Sequence, residues 1–114
     1  MADCLFCKII AGEIPAKKVH ETDHALAFED INPQAPTHVL VIPKRHIPAF
    51  SALGEADGET LGHLAAACNE VARQRGVAED GYRIVCNNGR AAGQTVDHLH
   101  WHVLGGRDMT WPPG

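Results

Sequence analysis

The chain is short of positive charge. Ten lysines and arginines stand against fourteen aspartates and glutamates, a formal net charge of −4 with histidine neutral. No basic stripe runs along it, which argues against a nucleic-acid binder and makes any phosphate recognition local. No apolar run approaches the roughly 20 residues that cross a bilayer, which argues against a membrane partner. The amino-terminal stretch lacks a basic region followed by a long apolar one, so no secretory signal is expected and the location is read as cytoplasmic. Four cysteines without an export signal read as thiols or ligands, not as a disulfide framework. What is present is ordinary for a globular protein: 114 residues, 45% hydrophobic and 21% charged, suit one domain over residues 1–114 with a modest core.

One stretch departs from the ordinary. In His98-Leu99-His100-Trp101-His102-Val103-Leu104, histidines and bulky apolar residues alternate strictly. A period of two marks a half-buried strand, on which residues two apart share a face at roughly 7 Å. One histidine in such a place is readily explained by packing. Three on one face are not, since each brings two ring nitrogens that need partners. The face reads as an active site or a metal site.

The rest of the chain supplies a frame. Asp3 is a candidate N-cap for a short helix over residues 4–11, with Leu5, Phe6, Ile9 and Ile10 as its buried stripe and Gly12 as its stop. Within it, Cys4-Leu5-Phe6-Cys7 has the spacing of half a tetrahedral zinc site, or else is a pair of buried thiols. Short strands are expected over residues 17–21 and 24–29. His20 and His24 flank the turn between them and read as solvated. Thr37–Pro43 is nearly continuously apolar, suiting a central strand ended by proline, with His38 at its mouth. Lys44 and Arg45 read as solvated, and His46 as surface unless the cysteines need it. A helix is predicted over residues 57–75 from Leu61, Leu64, Ala65, Cys68, Val71 and Ala72, closed by Gly76, with His63 exposed. A strand over 81–87 follows, and Cys68 and Cys86 read as small core residues. Residues 88–95 form a glycine-bearing loop whose N–H groups suit an anion and whose Thr95 offers a hydroxyl. This order indicates an α+β fold with a mostly antiparallel sheet.

The alternation at His98–Leu104 resembles the signature of the histidine triad family. Cys4–Ile14 with Pro15, Phe28–Ile31, His38–His46, Gly93–Gly106 and the Trp-Pro-Pro-Gly ending are similar in order and spacing to its Hint branch. The resemblance implies a five-stranded mostly antiparallel sheet with one long and one short helix, and a homodimer that joins two sheets into one. It implies hydrolysis of purine nucleoside 5′-phosphoramidates, since the transferase branch has glutamine where His102 stands. Carried over residue by residue, His100 is the nucleophile that forms a nucleotidyl-histidine, and His102 and His38 donate to phosphate oxygens. Thr95 stands where many relatives have serine. Asp30 would bind the ribose and Ile31 the base. Asn87, Gly93, Gln94 and Thr95 would lie on the phosphate side, and Trp111 would reach the partner subunit's site. Cys4, Cys7, His46 and His98 would hold a structural zinc ion. Asp97 stands where the animal members have an aromatic.

Three other functions compete. Dinucleoside polyphosphate hydrolysis could use the same intermediate, although the Trp-Pro-Pro-Gly tail disfavours it. A non-catalytic purine-nucleotide-binding interaction protein is a second, which no missing group favours. A catalytic metal held by the three histidines themselves is a third.

Overall fold

In the computed structural model, which describes residues 3–114, the chain is organised about its most apolar strand. All seven residues of β3 (Thr37–Pro43) are buried. The sheet grows outward from it: β1 (Lys18–Glu21) and β2 (Ala25–Glu29) on one side, β5 (Trp101–Gly105) and β4 (Tyr82–Val85) on the other. The strand order is β1-β2-β3-β5-β4, and every neighbouring pair is antiparallel. The fold is α+β, as the element order implies.

The period-two pattern divides the core into two layers. Ala25, Ala27, Val39, Val41, Leu99 and Val103 face α2 (Gly58–Gln74), whose Leu64, Ala67, Cys68 and Val71 pack on them. The alanines of β2 are small enough to let the helix come close. Leu26, Phe28, Leu40 and Ile42 face the other way, onto Phe6 and Ile9 of α1 (Leu5–Ile10). That second face carries the histidines. Gly12 and Gly76, at φ +80° and +73°, follow the two helices in the left-handed conformation that other side chains resist.

Several local expectations shift. The N-cap of α1 is Cys4, whose Sγ accepts the Cys7 N–H at 3.3 Å, and not Asp3. On α2 Ala67 is buried, while Ala65, at the margin of the apolar stripe, is exposed. The histidine strand is shorter than its alternation suggests and begins only at Trp101. The register that pairs Val41 with Trp101 would bring Leu99 opposite Pro43, which has no N–H to donate. The Leu99 N–H instead bonds the Ile47 carbonyl at 2.6 Å, so residues 98–100 peel away onto the segment after β3. His24 and His63 are not independent surface residues: their rings stack at 3.9 Å and 10°, tying the β1–β2 turn to α2.

Candidate functional site

Peeling residues 98–100 off the sheet creates the first of two linked sites. His98 becomes fully buried, and its Nε2–H donates to the Pro43 carbonyl at 2.9 Å. A carbonyl can only accept, so the proton is on Nε2 and Nδ1 presents a lone pair. That lone pair lies 3.4 Å from Cys4 Sγ and 3.6 Å from Cys7 Sγ, while His46 Nδ1 lies 3.3 Å from Cys7 Sγ. Zn–S and Zn–N bonds of about 2.3 and 2.1 Å at the tetrahedral angle require an S···N edge of about 3.6 Å. The four ligand atoms all lie within 4.8 Å of one another. The three S···N edges above lie within about 0.3 Å of that length, so this donor set fits zinc, and the Pro43 carbonyl supplies the outer hydrogen bond that fixes a ligating imidazole. Burial, and then the facing Cys4 thiol, push the Cys7 thiol up, so a cation is what would ionise it.

The second site follows from a chain of proton positions. The Gln34 N–H donates to His38 Nδ1 at 3.0 Å, which puts the His38 proton on Nε2. His38 Nε2 lies 2.9 Å from His102 Nδ1 and 3.4 Å from Asp30 Oδ2. The shorter contact makes His102 Nδ1 the acceptor and places its own proton on Nε2. Among the described residues, His102 Nε2 and Trp101 Nε1 are the buried side-chain polar atoms with no partner. His100 is set the opposite way. Its Nδ1–H donates to the His98 carbonyl at 2.7 Å, leaving Nε2 as a free lone pair. Two adjacent imidazoles, 5.2 Å apart between centroids, thus offer one nucleophilic nitrogen and one unspent N–H.

Electrostatics keep the relay neutral. Burial, and then the neighbouring His100 and His38 rings, push His102 down to about 4. Burial also lowers His38, with Asp30 opposing the shift. Asp30, His38 and His102 form a second cluster with metal-ligating spacing. The Gln34 N–H decides against a metal there, because His38 would have to ligate through the nitrogen that carries its proton. No such cluster among the described residues unites His98, His100 and His102.

His100 and His102 form part of the wall of a cavity of about 690 Å³. Phe6, Ile9, Ile14, Phe28 and Leu40 make its apolar side, and Asp30, Ile31 and Thr95 also line it. A cavity of this size, apolar with a few convergent polar groups, suits a small organic ligand.

A model of the HIT domain matches residues 11–109. The chain belongs to the HIT family. A HIT-like protein of Synechocystis sp. is 54% identical over 112 residues, covering 98% of this chain and 97% of the relative. A 14 kDa zinc-binding protein of Zea mays is 50% identical over 96% of this chain and 87% of its own length. The crystal structure of a HIT family hydrolase from Legionella pneumophila superposes with a TM-score of 0.96 at 51% identity, covering 98% and 100% of the two chains.

Within this HIT domain most of the expected residues meet in two clusters. Cys4, Cys7, His46 and His98 meet in one cluster, and Asp30, Ile31, Thr95, His100 and His102 meet at the cavity. His38 is one step removed, donating to His102 and not into the cavity. Asn87, Gly93 and Gln94 lie outside the cavity lining. Gln94 has its side chain committed to the loop: Oε1 accepts from Gly89 N–H, and Nε2 donates to the Pro48 and Val96 carbonyls. Trp111 is 81% exposed and lies over Arg83, whose guanidinium also donates to the Thr110 carbonyl at 3.0 Å. Sequence reasoning missed Gln34, whose backbone N–H sets the whole relay. No side-chain pattern could have revealed it.

Proposed function

We propose that this HIT domain hydrolyses nucleoside 5′-phosphoramidates of purines through a nucleotidyl-histidine intermediate. The observation that carries the reading is the opposed protonation of His100 and His102. The nucleoside would lie in the apolar cavity, its base against Ile31, Phe6 and Phe28 and its ribose hydroxyls on Asp30. His100 Nε2 attacks the α-phosphorus while the P–N bond to the amine breaks, the departing nitrogen taking up a proton from solvent so that it leaves as the neutral amine. His102 Nε2–H meets the non-bridging oxygen on which charge accumulates, and His38 acts by holding the proton of His102 in place. Thr95 hydrogen-bonds the phosphate or the leaving nitrogen. Asn87, Gly93 and Gln94 shape the phosphate-side loop, Gln94 through its backbone contacts. Water then breaks the P–N bond to His100, so that phosphoramidate and water give nucleoside monophosphate and amine. The Legionella relative's description as a hydrolase supports this class of reaction.

The maize relative's description as zinc-binding, with the tetrahedral fit of the cluster, supports zinc at Cys4, Cys7, His46 and His98. With four protein ligands that ion is closed to substrate, and its contribution is to hold α1 and residues 46 and 98 together. We also assign a homodimer. The outer strand β4 carries Ile84, 40% exposed, on an unpaired edge where a second copy can continue the sheet. Trp111 would then reach the partner's cavity.

Replacement of His100 by alanine tests the mechanism. Turnover of adenosine phosphoramidate should fall by several orders of magnitude, whereas nucleotide affinity should stay within about tenfold. Near-normal turnover would overturn it.

A further inference from the structure

His98 belongs to both sites at once, and this has a consequence for catalysis. Its ring carries the ligand nitrogen Nδ1 beside Cys4 and Cys7. Its backbone carbonyl, in the same residue, accepts the proton that sets the tautomer of His100. Phe6, lying between the two cysteines in α1, packs edge-on against both rings, with centroids 5.9 Å from His98 and 5.2 Å from His100. Both ring nitrogens and the carbonyl of His98 are therefore committed: Nδ1 to the cluster, Nε2–H to Pro43, and the carbonyl to the nucleophile.

We infer that metal ligation at Cys4, Cys7, His46 and His98 positions the nucleophile, so that occupancy of this cluster controls turnover as well as stability. This rests on the reading of His100 as nucleophile given above. Without a cation, the His98 ring keeps the Pro43 bond and a weak contact with a thiol. One strong anchor and one weak one leave the ring and the peptide that bears the carbonyl free to pivot. The backbone of the segment has few other restraints, because residues 98–100 have left the β-ladder and keep the Leu99–Ile47 bond in its place, while the Leu99 side chain anchors it in the core. When the carbonyl moves, His100 loses the bond that keeps Nε2 unprotonated. With four ligands in place, the ring is fixed at two points and the carbonyl with it. Cys4 and Cys7 are then positioning residues for a nucleophile neither of them touches. Oxidation or alkylation of the thiols would lower turnover by the same route.

The test uses the full chain, labelled with 15N-histidine, in zinc-loaded, metal-free and cadmium-loaded forms, well below the melting temperature of the metal-free form. The hydrogen-bonded Nδ1–H of His100 is followed by NMR, assigned by its absence in His100→Ala, alongside kcat and KM for a phosphoramidate. Metal removal should leave far-UV circular dichroism unchanged and broaden or shift the Nδ1–H signal. It should lower kcat by about ten- to a hundredfold, as expected for a misplaced reacting group. KM should stay within about threefold, since the ribose and base contacts are untouched. Zinc should restore both readouts, and the larger cadmium ion should give a third signal position. Cys4→His, which retains four donors, should keep zinc and most of the kcat, while Cys4→Ala should lose both. An Nδ1–H signal identical in all three forms would overturn the proposal, as would an unchanged kcat in the folded metal-free protein. Failure to take up one metal ion per chain would overturn it together with the cluster. A zinc-loaded protein inactive on phosphoramidates would refute the proposed function alone, because the Nδ1–H signal still decides the coupling.

Discussion

Acid should unfold this protein by a route that one substitution can isolate. His102 is pushed down to about 4 in the fold, against an ordinary value near 6.5 in the unfolded chain. Between those values the unfolded state binds a proton that the folded state refuses, so stability falls as the pH is lowered through that window. At pH 5 the difference corresponds to about 2 kcal/mol, and it levels off below pH 4. His38 and His98, also lowered by burial, act in the same direction. His102→Gln removes the contribution of residue 102 together with its coupling to His38 and His100. Urea unfolding of metal-free wild type and His102→Gln at pH 7.5 and pH 5.0 gives a double difference in which groups that do not interact with His102 cancel. Wild type should lose about 2 kcal/mol more than the variant. Parallel losses, within about 0.5 kcal/mol, would show that His102 is not held neutral by its surroundings.

Two further outcomes concern the metal and the tail. Protein grown with zinc and purified without chelator should contain one zinc per chain, and chelation should lower the melting temperature by about 10 °C or more; less than half an equivalent would count against the cluster. Light scattering at micromolar concentration should give a dimer, and deleting residues 109–114 should alter selectivity among leaving amines more than stability; a monomer would remove the route by which Trp111 reaches a site.

Much of the fold was legible because it follows from periodicity. The apolar run at Thr37–Pro43 announces a strand covered on both faces, and the histidine alternation puts Leu99 and Val103 in one layer and His100 and His102 in the other. The metal cluster was legible through the Cys4-Leu5-Phe6-Cys7 spacing, but its remaining ligands came from resemblance. What stayed hidden depends on backbone groups. Pro43 does more than end β3: it denies Leu99 a ladder partner and accepts from the His98 ring, which turns a triad on one strand face into two sites. The Gln34 N–H fixes the His38 proton and makes it a relay to His102. Gln94, read as a phosphate-side residue, spends its amide on Gly89, Pro48 and Val96. The stacking of His24 on His63 joins residues far apart in sequence, and neither carries a local signal for it.

The central claim is that His100 Nε2 is a nucleophile that forms a bond to phosphorus. Rapid acid-free quenching of a reaction with nucleotide-labelled phosphoramidate tests it most directly, followed by mass spectrometry of the protein. The account predicts nucleotide bound to His100 through a P–N bond, stable in alkali and lost in acid, and absent from His100→Ala. Label on a serine or threonine, or full turnover with no labelled protein at any quench time, would contradict it.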